Sequence, residues 1–243
     1  MNRCAGATQA VLLVGGKGTR LSGLHPDCPK ALVPVAGRPF LEWQLAWLRQ
    51  GGVRRIHLAA GHLASELEEW LSKDLCPGMD FTISVEPACL GTGGGLRFAE
   101  SYVLTDPFLV LNGDSLLPEL SFADLVEHHR SGAVSATVAV TRIRDAGRYG
   151  TVEFDGTGHI TAFREKAERT GGWVNGGVYV VTRTVLSGIE VGGSVSLETD
   201  VFPALARGGA IRAFAVGPPL LDMGTPEGIR VMEEYLGTAN PEK

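Results

Sequence analysis

The sequence predicts an α/β protein, one domain with a mixed, mostly parallel central sheet flanked by helices. Three observations predict it. Apolar runs of strand length alternate with helix-patterned segments through the first half. Glycine-rich breaks follow several of those runs. The second half changes to closely spaced strand patterns with hairpin and glycine signals, which predicts a more antiparallel part.

Residues 10–14 are apolar, enough for one buried strand and too few for a core helix, and the run breaks at Gly15 and Gly16. Residues 39–50 place Leu41, Leu45 and Leu48 at helical spacing, and Gly51-Gly52 ends that helix. Residues 53–60 read as a strand, and 62–71 as a helix carrying Glu66, Glu68 and Glu69. A strand over 80–86 precedes Gly91–Gly95, which opens a helix, and 107–111 is a strand ending at Asn112-Gly113-Asp114. Further on, 133–141, 149–154 and 159–164 are strand-like, the last two joined by an Asp155-Gly156 hairpin signal. Another strand over 174–182 follows a Gly171-Gly172 break. Trp43, Trp47 and Trp70 fall on helices as packing residues, whereas Trp173 is expected to line a pocket. In parallel sheets ligands sit beyond the carboxyl ends of strands, so the first glycine loop, Glu86, Gly91 and Asp114 can share one rim.

Composition narrows the function. The 243 residues carry a net charge of −5, which argues against a nucleic-acid partner, and any phosphate must be met by local cations and metal. Hydrophobic content of 44% is that of a soluble globular protein. Cys4, Cys28, Cys76 and Cys89 are scattered without a Cys-x-x-Cys pair, the pattern of reduced thiols in a cytoplasmic protein. Residues 1–9 lack the apolar core of a signal peptide, and no apolar run reaches membrane-spanning length, so no membrane partner is expected. The six histidines show no ligand spacing, and His128-His129 point to different faces of a helix.

The stretch from 10 to 30, AVLLVGGKGTRLSGLHPDCPK, carries most of the chemistry. Glycines at the end of a strand let backbone N–H groups approach an anion with no Cβ in the way. Arg20 and Lys30 follow, with Pro29 stiffening the approach to the second cation. Spacing excludes two other phosphate loops. Lys17 is followed by Gly18 where the triphosphatase loop needs Ser or Thr, and Leu21 stands where the dinucleotide fingerprint needs its third glycine.

Gly-Gly-x-Gly-Thr-Arg-Leu followed by Pro-Lys, continuing through Lys30-Ala31-Leu32-Val33-Pro34-Val35 to Gly37-Arg38-Pro39, resembles the signature of the sugar-1-phosphate nucleotidyltransferases. Within that family the chain looks most like the D-glycero-D-manno-heptose 1-phosphate guanylyltransferases. The resemblance runs from Ala10 to about Leu236 and implies a Rossmann-like (GT-A-like) fold. It implies one nucleotidyltransferase domain over 1–243, with a nucleotide-binding part over about 8–130 and a sugar-phosphate part over about 131–222. A C-terminal β-helix is not expected, because no hexapeptide period appears before Lys243. The implied partners are a nucleoside triphosphate and a sugar 1-phosphate, the implied cofactor is Mg²⁺, and homo-oligomerisation is left open.

The resemblance also assigns residues. Val14, Gly15, Gly16, Gly18 and Thr19, with Asn112 and Gly113, would hold the nucleotide, and Arg20 and Lys30 would be the catalytic cations. Asp114 and Asp222, the latter in Leu221-Asp222-Met223-Gly224-Thr225-Pro226, would hold the metal, with Thr225 capping a helix that starts at Pro226. Glu86 and Gly91-Thr92-Gly93-Gly94 resemble the base-reading segment. An acceptor-only carboxylate suits N1–H and N2–H of guanine, and it also accepts N3–H of uracil or thymine. Gly150, Glu165, Lys166, Asn175, Gly177 and Glu198 resemble the sugar-phosphate contacts, although Ala167 replaces the proline that usually follows Glu-Lys. Two rival readings stand beside this one. A glycosyltransferase would want Asp-x-Asp, but Asp114 is followed by Ser115-Leu116. An inactive nucleotide-sugar sensor would not need Arg20, Lys30, Asp114 and Asp222 together.

Overall fold

The structure, a computed structural model, describes residues 8–16, 27–73, 76–145, 149–164 and 170–239. The first half alternates. β1 (Gln9–Leu13) is followed by a 3₁₀ turn (Lys30–Leu32), a small ribbon of β2 (Pro34–Val35) and β3 (Arg38–Pro39), and α1 (Phe40–Gln50). Then come β4 (Arg55–Ala60), α2 (Ala64–Leu71), β5 (Asp80–Val85), α3 (Gly91–Phe98), β6 (Phe108–Asn112), β7 (Ser115–Leu116) and α4 (Phe122–Arg130). The second half holds β8 (Ala136–Asp145), β9 (Thr151–Phe154), β10 (Ile160–Arg164), β11 (Thr170–Val181) and α5 (Arg183–Ser187). A π-helical turn (Leu197–Val201) runs into α6 (Phe202–Arg207), followed by β12 (Ile211–Val216), β13 (Leu221–Asp222) and α7 (Pro226–Ala239).

β5, β4, β1 and β6 lie side by side and parallel. β11 runs antiparallel to β6, then continues past it to pair with β9, while β8 covers its other edge. β9 and β10 form an antiparallel hairpin, and β12 adds to β8 in parallel. The expected division into a parallel and an antiparallel part is therefore present in one sheet.

Burial on both faces explains why the central parallel strands carry the apolar runs 10–13 and 108–111. Ala10 and Leu12 of β1, with Leu109 and Leu111 of β6, pack toward Leu41, Leu45 and Leu48 of α1 and Phe122 and Leu125 of α4. Val11, Phe108 and Val110 point the other way, toward Leu96 of α3, Leu186 of α5 and Phe202 of α6. Each fully buried side chain of this size contributes about 1.5–3 kcal/mol. A third cluster joins Val33, Val35 and Phe40 to Leu116, Leu221, Met223, Met232 and Leu236. It clamps α7 and β13 beside β7, and so fixes where Asp222 lies.

Two local expectations need correction. The turn between β9 and β10 is longer than an Asp-Gly pair. Asp155 Oδ1 accepts from the Thr157 and His159 amides at 2.8 and 3.1 Å, and the left-handed residue is Gly158 (φ +85°), not Gly156. The Gly171-Gly172 pair is not a break before the strand but part of it, because Gly172 stays paired opposite Ile143 while Gly171 takes a φ of +77° inside β11. The capping at Thr225 is as expected: its Oγ1 accepts from the Gly228 amide at 3.1 Å.

Candidate active site

The carboxyl ends of β1, β5 and β6 open onto a cleft of about 260 Å³. Val14, Gly15, Gly16, Lys30, Glu86, Gly91, Thr92, Asn112, Gly113 and Asp114 all line it. Backbone bonds set this rim. The Val14 amide donates to Ala59 O and the Gly113 amide to Leu13 O, both at 3.0 Å. A Cβ on Gly113 would sit 2.6 Å from Leu13 O, so only glycine permits β6 to end this close to β1.

Glu86 follows β5, and glycines clear the space for its carboxylate. A Cβ on Gly61 would lie 2.7 Å from its Oε1 and one on Gly95 3.3 Å from its Oε2. Burial pushes the Glu86 carboxyl above its usual range, opposed by the Leu90 amide, which donates to Oε2 at 3.3 Å.

Lys30 reaches from the 3₁₀ turn so that its Nζ meets Asp114 Oδ2 at 2.5 Å, while Ser115 Oγ donates to Asp114 Oδ1 at 3.0 Å. Asp222 is brought alongside by the β7–β13 ladder. It lies opposite Ser115, and the next amide, that of Met223, donates to Asp114 O at 3.0 Å. Asp222 Oδ1 itself accepts from the Gly224 amide. It stands beside the Asp114 wall of the cleft without lining it.

A second cavity, of about 390 Å³, is lined by Gly150, Thr151, Val152, Phe163, Arg164, Asn175, Glu198, Thr199 and Pro203. Gly150, Asn175 and Glu198 are therefore brought together, and Gly177 (φ +73°) lies between the cavities against Asn112. Polar bonds connect the two. Thr92 Oγ1 donates to Glu198 Oε2 at 2.7 Å. The buried Tyr179 hydroxyl accepts from Asn175 Nδ2 at 2.9 Å and Asn112 Nδ2 at 3.3 Å, and donates to Glu198 Oε1 at 3.2 Å. Burial, and then the Glu198 carboxylate, push the phenol well above its usual range, so it stays a donor.

Some expected residues serve otherwise. Gly93 and Gly94 turn their amides to Val195 O at 2.8 and 3.1 Å, so they dock the segment before Glu198. Trp173 does not line the Asn175 cavity. It borders a separate hollow and packs on Phe154, ring centroids 5.5 Å apart. Gly18, Thr19, Arg20, Glu165 and Lys166 lie outside the described residues. Tyr179 and Cys89, the latter also in the first cleft, were not singled out by the sequence. Nothing in an apolar strand pattern marks Tyr179 as a polar junction.

The nucleotidyl transferase family model matches residues 9–234. The chain belongs to that family. Its relatives include a mannose-1-phosphate guanylyltransferase catalytic subunit beta from Drosophila pseudoobscura pseudoobscura, 36% identical over 224 residues, covering 90% of this chain and 60% of that protein. A mannose-1-phosphate guanylyltransferase of Mycobacterium tuberculosis is 35% identical over 221 residues, covering 90% and 61%. The chain thus spans about three fifths of the length of these curated relatives. Among solved structures, HddC from Yersinia pseudotuberculosis complexed with GMP-PN superposes with a TM-score of 0.84 at 28% identity, covering 94% of this chain and 99% of that one. Membership of the nucleotidyl transferases sets the glycosyltransferase reading aside. No helix among the described residues is long and apolar enough to cross a membrane.

Proposed function

We propose that this nucleotidyl transferase family member moves a guanylyl group from GTP to a sugar 1-phosphate of manno configuration. A phosphate oxygen of the sugar attacks the α-phosphorus in line, a new P–O bond forms, the bond to the β-phosphate oxygen breaks, and pyrophosphate leaves. The observation that carries the reading is the shared cleft. An acceptor carboxylate, Glu86, stands at one end, and the Lys30–Asp114 pair stands at the other. The adjoining cavity around Asn175 and Glu198 has room for the acceptor.

Two polyanions must meet, so the work is positioning and charge neutralisation. Gly15 and Gly16, with Gly18 and Thr19, would offer backbone N–H groups to the phosphates, Arg20 would stabilise the departing pyrophosphate, and Lys30 would bridge the reacting groups. Glu165 and Lys166, with Gly150, Asn175, Gly177 and Glu198, would hold the sugar phosphate. Asp114 and Asp222 would hold Mg²⁺. The fit is supported by the all-oxygen donor pair and by the ammonium of Lys30 beside Asp114 Oδ2, a position already favourable to positive charge. Among the described residues no cluster of three or more ligating side chains exists, which suits a cation that takes its remaining ligands from phosphates and water. Mg²⁺ bound there would neutralise the charge on the phosphates and orient them.

The family resemblance favours D-glycero-α-D-manno-heptose 1-phosphate, and HddC matches this chain over nearly its whole length. Mannose 1-phosphate is the second reading, favoured by relatives of 34–36% identity. Pyrophosphate release from GTP, UTP, dTTP and CTP against mannose, heptose and glucose 1-phosphates tests both. GTP with a manno-configured acceptor should dominate. A preference for UTP or dTTP overturns the guanylyl assignment, and glucose 1-phosphate as the best acceptor overturns the manno assignment.

A further inference from the structure

Gln44 is a polar residue on the apolar face of α1, between Leu41, Leu45 and Leu48, and it is fully buried. Taking an amide out of water costs several kcal/mol unless its groups are hydrogen-bonded. Its Nε2 donates twice, to Asn112 O at 2.9 Å and to Ser115 O at 3.1 Å. Its Oε1 has no partner among the described residues. As packing, the amide is inferior to a leucine, so its two donated bonds are what the position uses.

Those carbonyls flank Asp114, one two residues before it and one immediately after. The single side chain therefore staples the two ends of the turn that presents the carboxylate. Two other backbone groups of the turn are tied elsewhere, Gly113 N to Leu13 O and Asp114 O to Met223 N. Ser115 is also the residue opposite Asp222, so the staple also holds the strand pair that carries the second acid.

We propose that Gln44 is a positioning residue for the metal site, holding the turn from Asn112 to Ser115 so that Asp114 faces a divalent cation. This rests on the reading of Asp114 as a metal ligand. A partner of this kind typically controls metal affinity by roughly 10–100-fold.

The test is the coupling between metal and nucleotide in the full chain, read calorimetrically as the ratio of the GTP Kd in EDTA to that in saturating Mn²⁺. Gln44→Met keeps the length and removes both donors. It should leave the EDTA Kd within about twofold and cut the ratio at least about tenfold, with the thermal transition still cooperative. Gln44→Asn, a methylene too short to span both carbonyls, should do the same, and it decides the matter if Gln44→Met does not fold. Asp114→Asn should bring the ratio to about one. If the Gln44 variants keep the wild-type ratio while Asp114→Asn loses it, the positioning role is wrong and the ligand assignment stands. If Asp114→Asn keeps the wild-type ratio, the ligand assignment fails and the Gln44 proposal fails with it.

Discussion

Thr92 Oγ1 donates to Glu198 Oε2 at 2.7 Å and accepts from the Leu197 amide at 2.8 Å. The amino end of α3, which walls the first cleft, is thus bonded to the π-helical turn that walls the second. Thr92→Val keeps the shape and leaves Glu198 without this donor. The KM for the sugar 1-phosphate should rise about tenfold, the value of one charge-assisted bond, with a smaller change for GTP. Steady-state kinetics with each substrate varied in turn checks this, and equal changes in both KM values would contradict it.

Tyr179→Phe removes the hydroxyl at the centre of the Asn112–Asn175–Glu198 network. Two half-buried amides then lose their shared acceptor, costing about 1–3 kcal/mol. In a chain of this size the midpoint should fall by roughly 2–4 °C per kcal/mol in a thermal melt. An unchanged midpoint would show that the network contributes nothing to stability.

Lys30→Met takes away the cation facing Asp114. Loss of one such preorganised charge should lower kcat by about 10²–10³. Lys30→Arg should recover little, since a planar fork does not replace a compact ammonium. Single-turnover rates separate this from slow product release, and near-normal chemistry in Lys30→Met would refute the role.

In the proposed role Glu86 would have to be ionised to accept two guanine donors, and burial raises the pH at which it takes up a proton. The KM for GTP should therefore climb on acidification, beginning at a higher pH than an ordinary glutamate would require. Glu86→Gln offers one acceptor and one donor, which suits uracil better than guanine. The GTP-to-UTP preference, as a ratio of kcat/KM, should fall by roughly 10²-fold or more. An unaltered ratio would remove Glu86 from base selection.

His57 and His129 are buried and held neutral, each pushed down to about 4 mainly by burial. His57 is wedged between the hydroxyls of Thr82 and Ser84 at 2.8 and 2.9 Å, and His129 meets Thr137 at 2.9 Å. Unfolding lets both take up protons below about pH 6.5. Their contribution is complete above that pH and is lost as the pH falls from 6.5 toward 4, at up to about 1.4 kcal/mol per pH unit for each. Urea titrations across this range should show the slope, and His57→Gln should lessen it by one group. A profile flat from pH 7 to 5 would contradict the assignment.

The fold was legible in the sequence wherever periodicity and burial coincide. β1 and β6 carry apolar runs over 10–13 and 108–111 because both their faces are covered, and α1 shows Leu41, Leu45 and Leu48 because one of its faces is. The first cleft was legible because glycines and charged groups at strand ends are unusual enough to be seen singly. The linking side chains were not. Tyr179 looks like strand core, and its bonding partners are remote in sequence except for Asn175. Thr92 was assigned to base reading with its glycines, yet Gly93 and Gly94 serve to seat the Val195 segment. Gln44 did leave a trace, a polar residue at the i+3 place of an apolar stripe, but only the packed turn shows what it holds.

β11 changes neighbours along its length, lying against β6 from Val178 to Val181 and meeting β9 where Val174 faces Thr151. The β9–β10 hairpin supplies Thr151, Val152, Phe163 and Arg164 to the second cavity and nothing to the first. If the second cavity takes the sugar 1-phosphate, as proposed, changes confined to that hairpin would retune which sugar is accepted and leave the first cleft's lining intact.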